Sequence, residues 1–210
     1  ATDAWGRAFP GASVGLLELS GVEQPAEAAG LTALKRATEA ALRERYGGLA
    51  RPDLLALPTM AAYKRYYDRF NKTYHVLLQV ESIVIKGKSL PAVCPLVDAN
   101  FAAEVETLVL TAGHDAERLS GDVVIDVSAE GDGQRLMNGS ARAIYPGDMV
   151  MRDATGICCS IIYGQDDRSP ITPATSHVLY VAYAPAGVAA ETVEAHLRRI
   201  EDNVGLFAPG

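Results

Sequence analysis

The residue pair best suited to acid–base chemistry is His114 followed by Asp115. Histidine changes protonation near neutral pH, and we expect this pair to lie in a loop just past a helix, so His114 is a candidate general base. The pair could equally be a helix cap or a surface ion pair. None of the other histidines has the spacing of a zinc site, so we expect no metal; they are His75, His177 and His196.

The cysteines give a second set of candidate reactive groups. Three cysteines are too few for a disulfide framework, which favours a reducing, cytoplasmic location. Cys158 and Cys159 fall in a predicted strand, so we expect one side chain in the core and one half-exposed, and no catalytic thiolate. The sequence has no phosphate-binding loop, dinucleotide fingerprint or nucleophile elbow, so we expect no cofactor.

The elements that must position these groups change character midway along the chain. After a short strand over 12–19, apolar residues at helical spacing fill the first half, including an aromatic stripe that is most simply core packing. That stripe is formed by Tyr63, Tyr66, Tyr67 and Phe70. Together with turn and capping residues, the spacing predicts four helices, over 25–46, 60–70, 75–86 and 96–111.

The second half has the pattern of short strands joined by tight turns. A helical half followed by hairpin-connected strands predicts an α+β fold, in which the helical N-terminal half packs on an antiparallel or mixed β-sheet core. We expect residues 1–58 to be a strand-and-helix extension of a domain over 59–210, the two forming one compact unit. The predicted strands cover 122–127, 148–152, 157–163 and 177–183, and a last helix covers 188–202.

The chain has 210 residues and a formal net charge of −7, which argues against a protein that coats nucleic acid by charge alone, and we expect no DNA partner. Charge is unevenly spread: residues 60–90 carry six basic and two acidic side chains, whereas residues 98–134 carry nine acidic and one basic. The first cluster is either a solvated surface or a contact for a polyanion. No apolar run is long enough to span a membrane, so we expect no membrane partner. The basic residues are Lys64, Arg65, Arg69, Lys72, Lys86 and Lys88.

A predicted helix that opens with Val97-Asp98-Ala99-Asn100 is followed along the chain by several further motifs. In order and spacing, the set resembles the tRNA-editing (B3/B4) domain of the phenylalanyl-tRNA synthetase β subunit. The resemblance covers roughly residues 60–184 and is strongest to free-standing members, which have a similar Tyr-centred helix over 61–67. The later motifs lie at 118–124, 153–156, 165–172 and 173–179.

The resemblance implies hydrolysis of mischarged tRNA without a metal or a covalent nucleophile, by positioning a water and stabilising an oxyanion. The resemblance places Asn100 in the pocket, where we expect it to orient the water or the carbonyl, and we expect His114 to be the second catalytic residue. Asp167 or Arg168 would hold the amino group or the ribose, and the basic residues from Lys64 to Lys88 would meet tRNA phosphates in a weak, transient complex. The implied substrate-binding residues are Asp98, Asp167, Arg168 and Thr172.

Simpler interpretations of these residues remain open, as do three functions. Asp98 and Asn100 could be helix N-terminal capping residues, and Asp167 with Arg168 a surface ion pair. The family histidine corresponds to Ala112 here, and His114 takes the place of an aromatic residue. The chain is therefore a stand-alone hydrolase of mischarged aminoacyl-tRNA, a non-catalytic module that binds tRNA or an amino acid, or a hydrolase of a smaller acyl ester.

Overall fold

The computed structural model describes residues 1–208 and contains seven α-helices in that range. Four of them match helices that the sequence predicts, and a fifth, at the C-terminal end, matches the predicted last helix. The helices are α1 (Asp3–Ala8), α2 (Ala29–Tyr46), α3 (Arg51–Ala56), α4 (Pro58–Asp68), α5 (His75–Val84), α6 (Pro95–Thr107) and α7 (Ala190–Gly205).

The strands form three antiparallel sheets. The first has the order β1-β9-β2, the second β3-β6-β7-β8, and the third is the hairpin β4-β5. The strands are β1 (Ser13–Leu19), β2 (Thr111–Asp115), β3 (Val124–Val127), β4 (Gly133–Arg135), β5 (Ala141–Ala143), β6 (Met149–Asp153), β7 (Gly156–Ser160), β8 (Gly164–Gln165) and β9 (Val178–Ala184). The predicted α+β class with antiparallel sheets is confirmed.

Strand β9 is the centre of the core, and all seven of its residues are buried. Its side chains alternate between the two faces of the sheet. Val178 and Tyr180 pack in a cluster with α6 and α7, whereas Val181 and Tyr183 pack in the cluster that contains the α4 tyrosines. The strand therefore needs apolar residues at every position, and its sequence of Val, Leu, Tyr and Ala supplies them.

The aromatic stripe of α4 is core, as the sequence predicts, but each buried hydroxyl also has a partner. Tyr63 donates to the carbonyl of Tyr183 and accepts from the Leu110 amide, at 2.6 and 3.0 Å. Tyr66 donates to Asp148 at 2.5 Å and accepts from the Met149 amide at 2.6 Å. These bonds tie α4 to both large sheets, because buried hydroxyls are costly unless they are paired.

The prediction that His114 lies in a loop is wrong. Helix α6 ends at Thr107 rather than near residue 111, and His114 belongs to β2, where it pairs with Leu179 of β9. The chain turns at Leu108, which has a left-handed φ of 65° that glycine normally supplies. The Tyr74 hydroxyl donates to the Leu108 carbonyl at 2.9 Å and so supports this turn through a tertiary contact.

Other differences from the sequence-based prediction are small. The helices α1 and α3 and the strands β4, β5 and β8 are too short to leave a clear periodic pattern. Cys158 and Cys159 are both buried, so the expectation of one half-exposed thiol is wrong. Within residues 1–208, no helix is both long and apolar enough to cross a membrane.

We expect Tyr66→Phe to destabilise the fold by about 3 kcal/mol, because it removes the hydroxyl from buried Asp148 and leaves the Met149 amide without its partner. The measurement is the free energy of unfolding in urea. Tyr145→Phe is the matched control, since that side chain is 52% exposed, and it should change stability by less than about 0.5 kcal/mol. Equal losses in the two variants would contradict this account.

Candidate functional site

A cavity of about 310 Å³ opens between the start of α5, the helix α6, the strand β2 and the β7–β8 hairpin. Its volume is at the lower end of the range for small-molecule sites, and most of its lining is apolar. A few polar side chains interrupt that lining, and they come from different elements. The apolar lining includes Val93, Val97, Phe101, Met137, Ile161 and Ile171, and the polar side chains include His75, Asn100, Thr111, Ser160 and Gln165.

Helix α6 presents Asn100 to this cavity. The helix begins at Pro95, whose missing N–H costs nothing at this position, so Asn100 lies in its second turn. Asn100 is buried, and its Nδ2 donates to the Thr111 carbonyl at 3.3 Å. Its Oδ1 has no hydrogen-bond partner among residues 1–208. A buried acceptor is costly when unpaired, so this atom is available to a ligand or a water.

One turn further along α6, Glu104 bonds to the other backbone group of the same residue. Its Oε1 accepts from the Thr111 amide at 2.8 Å. The carboxyl group is fully buried with no cation bonded to it among the described residues, and burial raises its pKa to about 8. Asn100 and Glu104 together hold the start of β2 against α6. These two bonds fix the position of Thr111, which lines the cavity.

The cavity also depends on Gly113. A Cβ atom built at this position would lie 2.6 Å from Ile171 Cδ1 and 3.1 Å from Tyr180 Cε1. Any larger residue would therefore displace a wall of the cavity. The small residues of β2 that leave no strand signal in the sequence are the ones that keep this space open.

His75, the first residue of α5, also lines the cavity, and its contacts define its tautomer. The Tyr67 hydroxyl donates its proton to the Ile161 carbonyl at 2.7 Å. His75 Nδ1 lies 3.0 Å from the same hydroxyl and must therefore be the donor, which leaves a lone pair on Nε2. Burial lowers the pKa of His75, and the positive end of the α5 dipole acts in the same direction, so the ring is neutral at neutral pH.

His114 is placed elsewhere. It is fully buried and lies outside the cavity lining, with Nδ1 at 2.8 Å from Ser169 Oγ and 3.2 Å from Gln165 Nε2. Burial lowers its pKa to about 4, and the nearby Arg168 contributes in the same direction. His114 therefore bonds the two residues that flank the 165–169 loop.

Arg168 and Asp167 each form ion pairs with other side chains. The Arg168 guanidinium contacts Asp153 at 3.1 Å and Asp166 at 2.5 Å, and both carboxylates are buried. Asp167 instead faces Arg135 at 3.4 Å. Neither residue belongs to the cavity lining as the structure describes it over residues 1–208.

Asp98 and Thr172 are likewise engaged outside the cavity. Asp98 accepts from Lys35 Nζ at 2.5 Å and from the Val93 amide at 2.9 Å, which anchors the loop before α6 to α2. The Thr172 amide donates to Thr175 Oγ1 at 3.0 Å in a turn. Of the six residues that the sequence predicts for the pocket, the structure therefore brings Asn100 to the cavity lining, within the part of the chain it describes.

The six basic residues from Lys64 to Lys88 do not share one environment. Lys64 pairs with Asp68, Arg65 donates to the Ala186 carbonyl, and Arg69 lies over the rings of Phe9, Tyr66 and Phe70. Lys72 precedes α5, whereas Lys86 and Lys88 follow it, and a ten-residue helix is about 15 Å long. Any polyanion that contacted all six would have to span α4 and α5.

Sequence reasoning missed His75 as a site residue. The available signal was a histidine at the start of a predicted helix, directly after an aromatic stripe. That signal is weak, because the tautomer of His75 depends on a carbonyl 86 positions further along the chain.

Comparison with known proteins identifies the family. Residues 59–201 match the family model described as the B3/4 domain, so the chain belongs to that family. One solved structure that matches part of the chain is an N-terminal fragment of the phenylalanyl-tRNA synthetase β subunit from Pyrococcus horikoshii. The two are 10% identical and superpose with a TM-score of 0.46, over 53% of this chain and 40% of that one. No curated protein matches the chain.

We expect Glu104→Gln to remove the part of the pH dependence of stability that comes from titration of the Glu104 carboxyl group. A carboxyl group whose pKa is raised on folding stabilises the fold fully below its unfolded pKa, and this stabilisation is lost as pH rises through the folded value of about 8. The difference in unfolding free energy, wild type minus variant, should fall by up to about 4 kcal/mol between about pH 5 and pH 8. Urea unfolding at several pH values measures it, and a constant difference would contradict the assignment.

Proposed function

We propose that the cavity binds the aminoacyl end of a mischarged aminoacyl-tRNA and hydrolyses its ester bond. Membership of the B3/4 family and the editing motifs support this proposal. The observation that carries it is that Asn100 and His75 both line one small, mostly apolar cavity. Asn100 Oδ1 has no hydrogen-bond partner within residues 1–208, and the tautomer of His75 makes its Nε2 an acceptor. Two acceptors can hold the two protons of one water molecule.

The charge of the cavity lining favours an ester over a free amino acid. Within residues 1–208, the lining contains no Asp, Glu, Lys or Arg side chain. A free amino acid would therefore bring its carboxylate into an apolar space without a counter-ion, which is costly. An aminoacyl ester brings one charge, its α-ammonium, where a free amino acid brings two, and its side chain can pack against Phe101, Ile161 and Ile171.

The proposed reaction uses His75 as the general base. A water held by Asn100 Oδ1 transfers a proton to His75 Nε2 as its oxygen bonds to the ester carbonyl carbon. The developing oxyanion is stabilised by the N-terminal end of α5, which begins at His75. When the carbon–oxygen bond to the ribose breaks, the proton passes from His75 to the ribose oxygen. The products are the free amino acid and an uncharged tRNA.

The cavity itself accommodates the aminoacyl group and not the body of a tRNA. Because the chain carries a net charge of −7, we expect the contact with the rest of the tRNA to be weak and salt-sensitive. Such a contact suits a protein that releases its substrate after one hydrolysis.

A second function has a specific observation in its favour. Ala112 lines the cavity at the position where the resemblance places a histidine. A chain that had lost this histidine and did not use His75 in its place would bind the aminoacyl group without hydrolysing it. Both functions use the same ligand, and they differ in whether the ester bond is hydrolysed.

The test is release of amino acid from a panel of purified mischarged tRNAs. We expect release above buffer for at least one tRNA, with His75→Gln and Asn100→Ala each reducing the rate by about 100-fold or more. His177→Gln is the matched control, since His177 immediately precedes β9, pairs with the exposed Glu18 and does not line the cavity. Its rate should equal that of the wild type.

Three outcomes decide between the functions. Release by the wild type that does not depend on His75 would show that the base is wrongly assigned. An equal loss in the His177 control would point to a general effect on the fold. If no tRNA is hydrolysed but an amide-linked aminoacyl-adenosine binds and Asn100→Ala weakens it, the second function is correct.

A further inference from the structure

Next to the cavity, three aromatic rings and two cations form a surface that the proposed reaction does not use. Phe70 and Tyr145 have ring centroids 6.4 Å apart with planes 25° from parallel, and Tyr145 and Tyr163 are 6.0 Å apart at 37°. Arg142 and Lys72 lie 5.4 and 5.6 Å from the centre of the Tyr163 ring. We call these five residues the aromatic–cation surface.

This surface is open to solvent and electropositive. Tyr145 is 52% exposed, the Arg142 and Lys72 side chains are exposed, and Phe70 and Tyr163 are half-buried. Neither cation has a carboxylate partner within residues 1–208, whereas most other arginines in that range are paired. Two like charges beside one ring repel each other, so an anion bound between them would be favourable.

Three residues of the aromatic–cation surface lie close along the chain to residues that line the cavity. Tyr163 is followed by Gly164, which lines the cavity, and consecutive Cα atoms are about 3.8 Å apart. Lys72 precedes the cavity residue His75 by three positions. Arg142 lies on β5, and the turn that joins β4 to β5 carries Met137, another lining residue.

We propose that this surface binds the unpaired nucleotides that lead to the end of an RNA strand. Bases would stack on the rings of Tyr145 and Tyr163, and phosphates would contact Arg142 and Lys72. Exposed aromatic rings alternating with cations are typical of single-strand binding, because every base offers a face for stacking and every linkage offers a charge. The inference rests on the proposed function in one respect: the strand's last residue would carry the aminoacyl group into the cavity.

The chemistry of the surface favours an unpaired strand over other polyanions. A duplex keeps its bases stacked on each other, so it could use the cations but not the rings. An acidic peptide could likewise use the cations, but it has no flat face for the nearly parallel rings of Phe70 and Tyr145. The aromatic–cation surface also differs from the basic cluster that the sequence predicts. The two have only Lys72 in common, and Arg142 lies on β5, outside that cluster.

The test is fluorescence anisotropy with a labelled, uncharged single-stranded RNA of about six nucleotides at low salt. We expect Arg142→Ala and Tyr145→Leu each to weaken binding by about tenfold. Arg45→Ala is the matched control for charge, because Arg45 also lies beside an aromatic ring, 5.1 Å from the centre of that of Tyr46, but belongs to α2, which contributes no residue to the aromatic–cation surface. Tyr145→Phe is the matched control for the ring. Both controls should bind within about twofold of the wild type.

The outcomes separate this surface from general electrostatic attraction. The inference is overturned if Arg45→Ala weakens binding as much as Arg142→Ala, if Tyr145→Leu binds as the wild type does, or if a duplex of the same length binds as tightly as the single strand. Absence of binding at low salt would also overturn it. Because the probe carries no aminoacyl group, these results stand whether or not the cavity hydrolyses an ester.

Discussion

The backbone of Thr111 is held on both sides by α6, and the cavity exists because of this contact. Asn100 donates to the Thr111 carbonyl and Glu104 accepts from its amide. One position earlier, the Leu110 amide donates to Tyr63, whose own proton goes to the Tyr183 carbonyl. The entry to β2 is thus fixed by hydrogen bonds from three buried side chains to the backbone of two consecutive residues, and such buried bonds favour a single geometry.

The polar residues near the cavity have different hydrogen-bonding roles. Burial raises the pKa of Glu104, which has no cation bonded to it in the described part of the chain, and its carboxyl group bonds to the backbone. Asn100 Nδ2 also bonds to the backbone, whereas its Oδ1 has no partner within residues 1–208. His75 is oriented from the opposite side by Tyr67, another member of the aromatic stripe. The aromatic stripe of α4 therefore packs in the core and, through Tyr67, also orients a residue of the candidate site.

Much of the fold could be predicted because its signals are local. Helical spacing and capping residues identify α2, α4, α5 and α6, and the seven consecutive buried residues of β9 form a plain apolar run. Strand β2 could not be predicted, since the turn before it uses Leu108 in a glycine-like conformation that a distant tyrosine supports. For the candidate site, the motif includes Asn100, which lines the cavity. Asp98 pairs instead with Lys35, 63 positions earlier, and Arg168 pairs with Asp153 and Asp166, and neither ion pair leaves a periodic pattern in the sequence.

We propose that one apolar cavity receives an aminoacyl ester between Asn100 and His75. A crystal structure with an amide-linked analogue of aminoacyl-adenosine is the sharpest test, because the amide is not hydrolysed under the same conditions. We expect the amino acid side chain to lie against Phe101 and Ile171, with the amide carbonyl near the N-terminus of α5 and an ordered water between Asn100 Oδ1 and His75 Nε2. An analogue bound outside this cavity, or a cavity that stays closed to it, would show that the proposal is wrong.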